Sequence, residues 1–250
     1  MAGMKILGID IGGSAVKIAP VSSGKGKLMQ ERLRIPTPQP ATPDALARLL
    51  ASHVKEQKWK GPIGVGFPAT VIDQVVMTAN NIDKSWIGVH AGALFSEASS
   101  CPVYVLNDAD AAGLAEVRYG AGQGVKGVVI VITIGTGVGS AVFINGKLLP
   151  NCELGQLRMV GDRAETYVSD AMRKKLSLSW EEWTHRMNRF LSEVEDLFSP
   201  SLIIIGGGVS HKTEHYLADL QVRSRVVTAR LQNEAGMIGA AIAAKKYLEQ

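Results

Sequence analysis

The sequence is poor in cysteine and in aromatic residues, and both shortages limit what the chain can be. Its 250 residues include only Cys101 and Cys152 as cysteines, which are too few for a disulfide framework or a complete zinc site. We therefore expect two reduced thiols, as is usual in the cytosol. Aromatic residues make up 6% of the chain, whereas the 27 glycines indicate tight turns and close backbone approaches.

Long apolar runs and long basic runs are also missing. The first apolar run, residues 4–11, is interrupted by Asp10, and no run reaches the ~18 apolar residues that a membrane span needs. No signal-peptide pattern precedes it. The net charge of +4 is spread along the chain, which does not indicate a nucleic-acid binder. These features predict a cytoplasmic protein that binds neither membranes nor nucleic acid.

Three common catalytic signatures are absent as well. The sequence contains no Gly-x4-Gly-Lys-Ser/Thr, no Cys-x-x-Cys and no Gly-x-Ser-x-Gly, so P-loop, paired-cysteine zinc and serine-hydrolase interpretations lack their motifs. Hydrophobic residues at 46% and charged residues at 20% are typical of an ordinary globular protein.

Apolar periodicity and turn residues divide the chain into alternating strands and helices. Strands are predicted at 5–11, 15–21, 32–36, 62–67, 102–106, 127–133, 139–144 and 202–205. Helices are predicted to begin at Thr42, at Asn107-Asp108, near Trp183 and near Glu234. The apolar stripe on the third helix, which includes Leu197 and Phe198, is expected to lie in the core.

An antiparallel β start followed by strands and helices occurs twice, around 4–106 and 127–227. This weak internal repeat predicts an α/β fold of two domains with a cleft between them. We expect residues 1–111, completed by a C-terminal helix at 236–250, to form a smaller domain. Residues 112–235 would form the larger one.

Three glycine-rich loops are candidates for binding phosphate. In the first, Asp10 ends a strand and is followed by Gly12, Gly13, Ser14 and Lys17. Backbone N–H groups, a hydroxyl and an ammonium can cradle phosphate oxygens, while the carboxylate can hold Mg²⁺ through water. An ordinary tight hairpin is the alternative.

The other two loops precede different kinds of element. The loop Gly135-Thr136-Gly137 leads into a strand, which argues against a Rossmann fingerprint because a Rossmann loop must open a helix. The loop 206–210, with Gly207 and Gly208 at its centre, is predicted to open a helix whose N-terminus would suit an anion or a nucleotide.

The central acidic candidate is Asp108, which follows the predicted strand 102–106 and Asn107. A carboxylate at the carboxyl end of a strand can accept the proton of a hydroxyl nucleophile, and the amide of Asn107 can both donate and accept hydrogen bonds. A helix N-cap is the alternative role for Asp108. Asp110 and Glu116 are interpreted as first-turn and surface charges, with Asp110 as a reserve base.

Together these segments resemble the ROK family of sugar kinases, and within it the polyphosphate glucokinases. The matching segments are GIDIGGS (8–14), RIPTP (34–38), NIDKSWIG (81–88), NDADAAGLAE (107–116), GTG (135–137), ELG (153–155) and GGGVS (206–210), with Trp180 and Trp183. The resemblance implies an actin-like fold of two α/β domains, usually a homodimer. It further implies Mg²⁺-dependent phosphorylation of glucose or a related hexose from polyphosphate, ATP or both.

The resemblance also implies residue roles. Asp108 matches the catalytic base, and Asn107, Glu153, Gln156 and Glu165 match sugar-contacting positions. Asp10, Gly12, Gly13, Ser14, Lys17, Thr136, Gly137, Gly207 and Gly208 match positions that bind the phosphate donor, with Asp10 on the metal. Along a polyphosphate chain, further cations are expected to contribute: Lys84, Arg118, Lys126 and Lys212, although each alone is interpretable as a solvated charge.

One departure concerns the sugar site. The family normally has Glu-x-Gly-His, whereas this chain has Gln156 after Gly155, and Arg158 stands where the branch usually has an acidic residue. Glutamine donates and accepts hydrogen bonds, but unlike histidine its side chain cannot take up a proton and become positively charged. An ATP-only hexose kinase of altered specificity and a catalytically silent sugar binder therefore remain as alternatives.

Overall fold

The computed structural model describes residues 3–159 and 161–249, in which strands and helices alternate. The strands are β1 Lys5–Ile11, β2 Ala15–Ser22, β3 Lys27–Leu28, β4 Leu33–Pro36, β5 Ile63–Phe67, β6 Val71–Ile72, β7 Val75–Val76, β8 Val103–Asn107, β9 Val128–Ile134, β10 Val138–Ile144, β11 Lys147–Leu149, β12 Arg158–Met159, β13 Asp162–Arg163, β14 Leu202–Gly207 and β15 Val226–Thr228. The helices are α1 Pro43–Glu56, α2 Ala91–Ser99, α3 Asp108–Tyr119, α4 Ala164–Val168, α5 Asp170–Lys175, α6 Trp180–Phe198 and α7 Ala235–Leu248.

The chain divides into two compact units. Unit 1 comprises Met1–Ala115 and Glu234–Gln250, and unit 2 comprises Glu116–Asn233. The division falls inside α3, and α7 returns to unit 1.

Each unit contains a sheet of the same strand order. In unit 1 the order is β3-β2-β1-β5-β8, with β4 also paired to β2, and in unit 2 it is β11-β10-β9-β14-β15. The first pairs of each sheet are antiparallel and the last two are parallel. The predicted α/β class and the repeated order of elements are confirmed.

Local signals explain where α1 begins. Thr42 precedes Pro43, which suits the first helical position because it lacks an N–H that the helix would leave unpaired. The Thr42 hydroxyl accepts the backbone N–H of Ala45 at 3.3 Å. Leu46 and Leu50 lie one turn apart and are buried in the core of unit 1.

Helix α7 packs directly on the backbone of its neighbours in unit 1. A Cβ at Gly8 of β1 would lie 2.3 Å from the carbonyl oxygen of Met237, and one at Gly64 of β5 would lie 2.0 Å from that of Ala240. A Cβ at Gly239 would lie 1.6 Å from the carbonyl oxygen of Ala111 in α3. Contacts this short exclude any side chain at the three glycines.

In unit 2, α6 begins with a capping box. The Ser179 hydroxyl accepts the N–H of Glu182, whose carboxylate accepts the N–H of Ser179. The apolar stripe is confirmed as core at Trp183 and Phe190, which are fully buried. The prediction is wrong for Leu197, which is 61% exposed, whereas the adjacent Phe198 packs against the core, so Leu197 lies at the solvent-facing edge of the stripe.

Two acidic residues of α3 that the sequence analysis interprets as first-turn and surface charges are buried: Asp110 does lie in the first turn, but the surface interpretation is wrong for Glu116. Asp110 is 2% exposed and Glu116 is 1% exposed. Glu116 accepts the backbone N–H groups of Ala121, Arg230 and Leu231 at 2.8, 3.1 and 2.6 Å. The sequence pattern missed this role because two of the three backbone donors lie more than one hundred residues away.

A second buried carboxylate, Glu195 of α6, clamps the segment before β15. It accepts hydrogen bonds from the backbone N–H groups of Arg223 and Ser224 and from the guanidinium of Arg223. Burial alone would raise the pKa of Glu195, but these hydrogen bonds outweigh it and lower the pKa to about 2. Arg223 also pairs with the exposed Asp196 at 2.8 Å.

Cys101 is buried and Cys152 is half-buried, and neither forms a disulfide in the part of the chain that the structure describes. Among residues 3–159 and 161–249, none of the helices has both the length and the apolar character required to cross a bilayer.

The packing of α7 predicts that Gly64→Ala destabilises the protein, because the new methyl would overlap the Ala240 carbonyl. Overpacking of this kind costs about 1–3 kcal/mol, measurable as a lower free energy of unfolding in urea. Gly206→Ala is the matched control, since it is also a strand glycine but its nearest contacts would be 3.5 Å away. Equal losses for the two variants would contradict the close-packing argument.

The Glu195 clamp predicts a pH-dependent effect. Glu195→Gln removes the charge that the buried donors require, so at neutral pH it should lower the free energy of unfolding by about 1–3 kcal/mol. Because the folded pKa of about 2 lies below the ordinary value of 4.5, this contribution is present above pH 4.5 and is lost as the pH falls towards 2.

Urea unfolding at several pH values measures this difference between wild type and variant. Asp196→Asn removes the exposed partner of the same arginine and should cost less than about 1 kcal/mol. A loss for Glu195→Gln that stays constant down to the acid end of the range would show that charge is not the cause.

Candidate active site

In unit 1, the carboxyl ends of three parallel strands place the two main acidic candidates at one edge of the sheet. Asp10 of β1 pairs in register with Gly66 of β5, and β5 pairs with β8, which ends at Asn107. A Cβ at Gly66 would lie 3.5 Å from the Cα of Asp108. The start of α3 therefore lies in van der Waals contact with β5, next to the end of β1.

Asp10 is held between a lysine and a helix. Its Oδ2 accepts a hydrogen bond from the Lys17 ammonium at 2.8 Å, and the two residues lie directly opposite each other on β1 and β2. The carboxylate also packs on the first turn of α7, where a Cβ at Gly236 would lie 2.8 Å from its Cγ. The N-terminal end of a helix favours a negative charge at this position.

The donor set at Asp10 fits a magnesium ion that is shared with phosphates. No group of three or more His, Cys, Asp or Glu side chains in the described part of the chain could hold a metal alone. Mg²⁺ in phosphoryl-transfer sites is commonly held by one or two carboxylates, with water and substrate phosphates completing its shell. The Oδ1 atom of Asp10 is available for that role, since Lys17 bonds to Oδ2.

The first glycine loop is anchored to the segment after β4. The Thr37 hydroxyl donates to the carbonyl of Gly12 at 2.6 Å, and its N–H donates to the carbonyl of Ser14 at 3.2 Å. The amide of Gln39 reaches the carbonyl of Gly13 at 3.3 Å. The loop is therefore fixed by more than its own hairpin, and the buried Thr37 is a contributor to the site that its motif did not reveal.

A cavity of about 310 Å³ lies beside this loop within unit 1. Gly12 and Gly13 form one wall, Thr37 and Gln39 form a second, and residues 80–83 form a third. Its polar groups are mainly amides and backbone atoms.

Asn107 and Asp108 make different hydrogen bonds at the start of α3. The Asn107 Oδ1 accepts the N–H of Asp110 at 2.9 Å, and its Nδ2 donates to the carbonyl of Ala69 at 3.1 Å. Asn107, not Asp108, thus caps the helix, and its amide retains one donor hydrogen and one acceptor lone pair. Asp108 is half-buried and accepts the N–H of Ala109 at 2.8 Å.

In unit 2, the second glycine loop joins β9 to β10, as the sequence predicted. The N–H of Gly135 donates to the carbonyl of Gly137 at 3.0 Å, and the carbonyl of Gly135 accepts the N–H of Ala171 at 3.2 Å. Thr136, at the tip, is exposed. The loop therefore presents a hydroxyl and backbone groups on a turn held at both sides.

The turn Glu153–Gln156 is fastened to the start of β10. The Ser140 hydroxyl donates to the carbonyl of Cys152 and accepts the N–H of Leu154. A Cβ at Gly155 would lie 2.3 Å from the carbonyl oxygen of Val138, so the turn requires a glycine there. Glu153 and Gln156 are both partly exposed.

Glu165 lies beside the same strand. It opens α4, and its carboxylate accepts the N–H of Val138 at 3.3 Å. Arg158, the residue that departs from the family pattern, lies directly opposite Arg163 on the β12–β13 hairpin. Both arginines are exposed, so this edge carries two cations rather than one.

The third loop differs from its prediction. Gly208–His211 forms a four-residue 3₁₀ turn and not an α-helix, so the aligned peptide dipoles of a longer helix are absent there. Gly207 has φ +76, and a Cβ there would lie 2.4 Å from the carbonyl oxygen of Ile134. Glycine is thus required to carry the chain from β14 past the end of β9.

The sequence His211-Lys212-Thr213-Glu214-His215 has the spacing of some helical zinc motifs, which the sequence analysis overlooked. In the structure it spans two short 3₁₀ turns and provides no metal cluster among the described residues. His215 instead stacks on Trp180 with ring centroids 5.0 Å apart.

Within each unit, the predicted site residues gather at one group of strand ends. Unit 1 brings together Asp10, Gly12, Gly13, Ser14, Lys17, Asn107 and Asp108. Unit 2 brings together Thr136, Gly137, Glu153, Gln156, Glu165, Gly207 and Gly208. The first set combines a carboxylate, an ammonium and a glycine loop, and the second combines two glycine loops with carboxylate and amide side chains.

Comparisons with known proteins give the same picture. The polyphosphate glucokinase of Mycobacterium tuberculosis (strain CDC 1551 / Oshkosh) is 45% identical over 237 residues, which cover 94% of this chain and 89% of that protein. The crystal structure of an inorganic polyphosphate/ATP-glucomannokinase from Arthrobacter sp. strain KM superposes with a TM-score of 0.93 at 49% identity, covering 97% of this chain and 99% of the other.

A more distant structure has the same fold. The ROK family glucokinase from Streptomyces griseus, in complex with glucose and AMPPNP, gives a TM-score of 0.83 at 25% identity and covers 97% of this chain and 100% of that one. The actin-like two-domain class predicted from the sequence is therefore confirmed. Residues 6–155 match the ROK family, and the chain belongs to that family.

Proposed function

We propose that this protein phosphorylates glucose to glucose 6-phosphate, with inorganic polyphosphate, ATP or both as phosphoryl donor. The observation that carries the proposal is the edge of unit 1 where Asp10, Lys17 and the first glycine loop lie beside Asp108. The 45% identity to a polyphosphate glucokinase supports the same activity.

Asp108 acts as the general base. Its carboxylate accepts the proton of the sugar hydroxyl as the oxygen forms its bond to phosphorus, and the bond from phosphorus to the donor oxygen breaks. The N–H of Ala109 and the start of α3 keep the carboxylate in place. Asn107 occupies the N-cap position of the helix through the N–H of Asp110, so that position does not fall to Asp108.

The sugar hydroxyls are bound by amide and carboxylate side chains. Asn107 binds a sugar hydroxyl through the amide hydrogen and the oxygen lone pair that its bonds to Asp110 and Ala69 do not use. Glu153, Gln156 and Glu165 form the hydroxyl-binding set of unit 2. Val138 of β10 contacts both parts of this set, since its carbonyl packs against Gly155 of the turn and its N–H donates to the Glu165 carboxylate. Such paired donors and acceptors suit vicinal hydroxyls.

The donor phosphates are bound by the glycine loops and by Lys17, with Gly12, Gly13 and Ser14 in unit 1 and Thr136, Gly137, Gly207 and Gly208 in unit 2. Asp10 would hold Mg²⁺, which neutralises phosphate charge when bound. Lys17 bonds to the same carboxylate at 2.8 Å, so its ammonium is positioned beside the metal-binding oxygen.

The domain bounds 1–111 with 236–250 and 112–235, a homodimeric assembly and a cytoplasmic location are proposed on the same grounds, from the family resemblance and the composition. No role in binding membranes or nucleic acid is proposed.

The first test measures glucose 6-phosphate with Mg²⁺, glucose and a single donor, in wild type and in Asp108→Asn. Wild type should turn over with polyphosphate, with ATP or with both. Asp108→Asn should lower turnover by about 10²–10⁴-fold, the usual contribution of a general base, while glucose binding measured by calorimetry persists. Asparagine keeps the oxygen that accepts the Ala109 N–H, so the fold is expected to survive.

Asp110→Asn serves as the comparison, since Asp110 is the reserve candidate for the base. Full turnover in Asp108→Asn together with loss in Asp110→Asn would move the role to Asp110. An absence of glucose 6-phosphate from wild type with either donor would overturn the kinase proposal in favour of a silent sugar binder.

The departure at Gln156 generates a separate prediction. Gln156→His restores the family residue and should change the KM for glucose relative to mannose, because an imidazole can carry a proton and a charge that an amide cannot. Steady-state kinetics on both sugars measures the change. Gln123→His, at an exposed glutamine outside the site, should leave all constants unaltered. Unchanged constants in Gln156→His would show that position 156 does not set sugar preference.

A further inference from the structure

Three strands of unit 1 carry a row of charged residues. Asp10 of β1 lies directly opposite Lys17 of β2, and Lys17 lies directly opposite Arg34 of β4. Side chains that face each other across antiparallel strands project from the same face, with Cβ atoms about 4.5–5.5 Å apart. The row therefore extends from the carboxylate beside α7 to the outer edge of the sheet.

The members of this row differ in their partners. Lys17 is bonded to Asp10 at 2.8 Å, and its side chain is 26% exposed. The Arg34 side chain is exposed, and in the described part of the chain it has no ion pair and no hydrogen bond. One carboxylate thus faces two cations, and the uncompensated charge is the guanidinium.

Arg34 is also held at a fixed distance from the first glycine loop. Thr37, three residues later, bonds to the carbonyls of Gly12 and Ser14, and β4 pairs with β2 through Ala15 and Ile18. The backbone that carries Arg34 and the loop that receives phosphate are therefore one rigid piece of unit 1.

We propose that Arg34 is a donor-selecting residue that binds phosphate groups of a polyphosphate chain beyond the one that is transferred. This inference rests on the proposed function and deepens it. A guanidinium can bind phosphate oxygens with two parallel hydrogen bonds. Polyphosphate presents further anionic groups along its length, whereas ATP ends in a ribose and a base, so Arg34 favours polyphosphate over ATP.

The alternative is a purely structural role, in which Arg34 prevents the exposed edge strand from pairing with other chains. Charged residues on exposed edges prevent pairing with other chains, and such a role would leave donor kinetics unchanged. Lys27 of β3 provides the matched control, because it is an exposed cation on the same outer side of β2, opposite Ser22. It lies at the far end of β2 from the glycine loop.

The experiment compares Arg34→Gln, Arg34→Lys and Lys27→Gln with wild type in KM for polyphosphate, ATP and glucose. Loss of one charge-assisted phosphate contact should raise the KM for polyphosphate by about three- to tenfold in Arg34→Gln. The KM for ATP and for glucose should change by less than about twofold. Arg34→Lys should recover part of the effect, and Lys27→Gln should match wild type.

Binding of fluorescently labelled polyphosphate, measured by anisotropy at several salt concentrations, tests the proposal without turnover. Arg34→Gln should reduce the slope of log affinity against log salt by about 0.7–0.9, the range for one phosphate contact on nucleic acid strands. Equal polyphosphate affinity and slope in Arg34→Gln and Lys27→Gln would overturn the role of Arg34 even if wild type phosphorylates glucose. An absence of turnover in wild type would overturn the proposed function, and the binding data would still decide whether Arg34 contacts the polyanion.

Discussion

The contact on which unit 1 depends is the direct backbone packing of α7 against β1, β5 and α3. Gly8, Gly64 and Gly239 leave no room for a Cβ, so the helix lies closer than side-chain packing would permit. Its first turn then meets Asp10 at Gly236, and its middle meets α3 at Ala111. The same contact therefore positions both the carboxylate proposed for the metal and the helix that carries Asp108.

Buried carboxylates supply a second kind of restraint, this time within unit 2. Glu116 accepts the backbone N–H groups of Arg230 and Leu231, and Glu195 accepts those of Arg223 and Ser224, all from loops distant in sequence. A buried charge is costly unless it is hydrogen-bonded, and several donors to one carboxylate meet that requirement. These two carboxylates hold loops in place through backbone hydrogen bonds, a structural role that Glu116 has although it lies close in sequence to Asp108.

The two proposed binding sets differ in how their charges are arranged. At Asp10, a carboxylate, an ammonium and a helix N-terminus balance one another, and added phosphate charge can be met by Mg²⁺ and by Arg34. At the sugar set, uncharged Gln156 replaces the histidine of the family and Arg158 faces Arg163. Because Gln156 and Arg158 lie in or beside the proposed sugar set and Asp108 does not, we expect this departure to affect sugar preference more directly than phosphoryl transfer.

The sequence by itself determined the α/β class, the repeated order of elements, the longer strands and helices, and the glycine loops with Asp10, Lys17, Asn107 and Asp108, because these follow from local periodicity, turn residues and short motifs. The sugar-contacting candidates Glu153, Gln156 and Glu165 came from the resemblance to the ROK family. It could not assign Glu116 as a buried clamp, since two of its backbone donors lie more than one hundred residues away. Asn107 and Asp108 are neighbours that both suit a helix cap, and only the side-chain geometry shows that Asn107 takes that position. The predictions for Leu197 and the third loop are wrong for a related reason, because a local apolar or glycine pattern does not reveal which edge of a stripe faces solvent or how far a helix continues. The row Asp10–Lys17–Arg34 exists only in the tertiary structure, because strand register brings together side chains that the chain itself keeps apart.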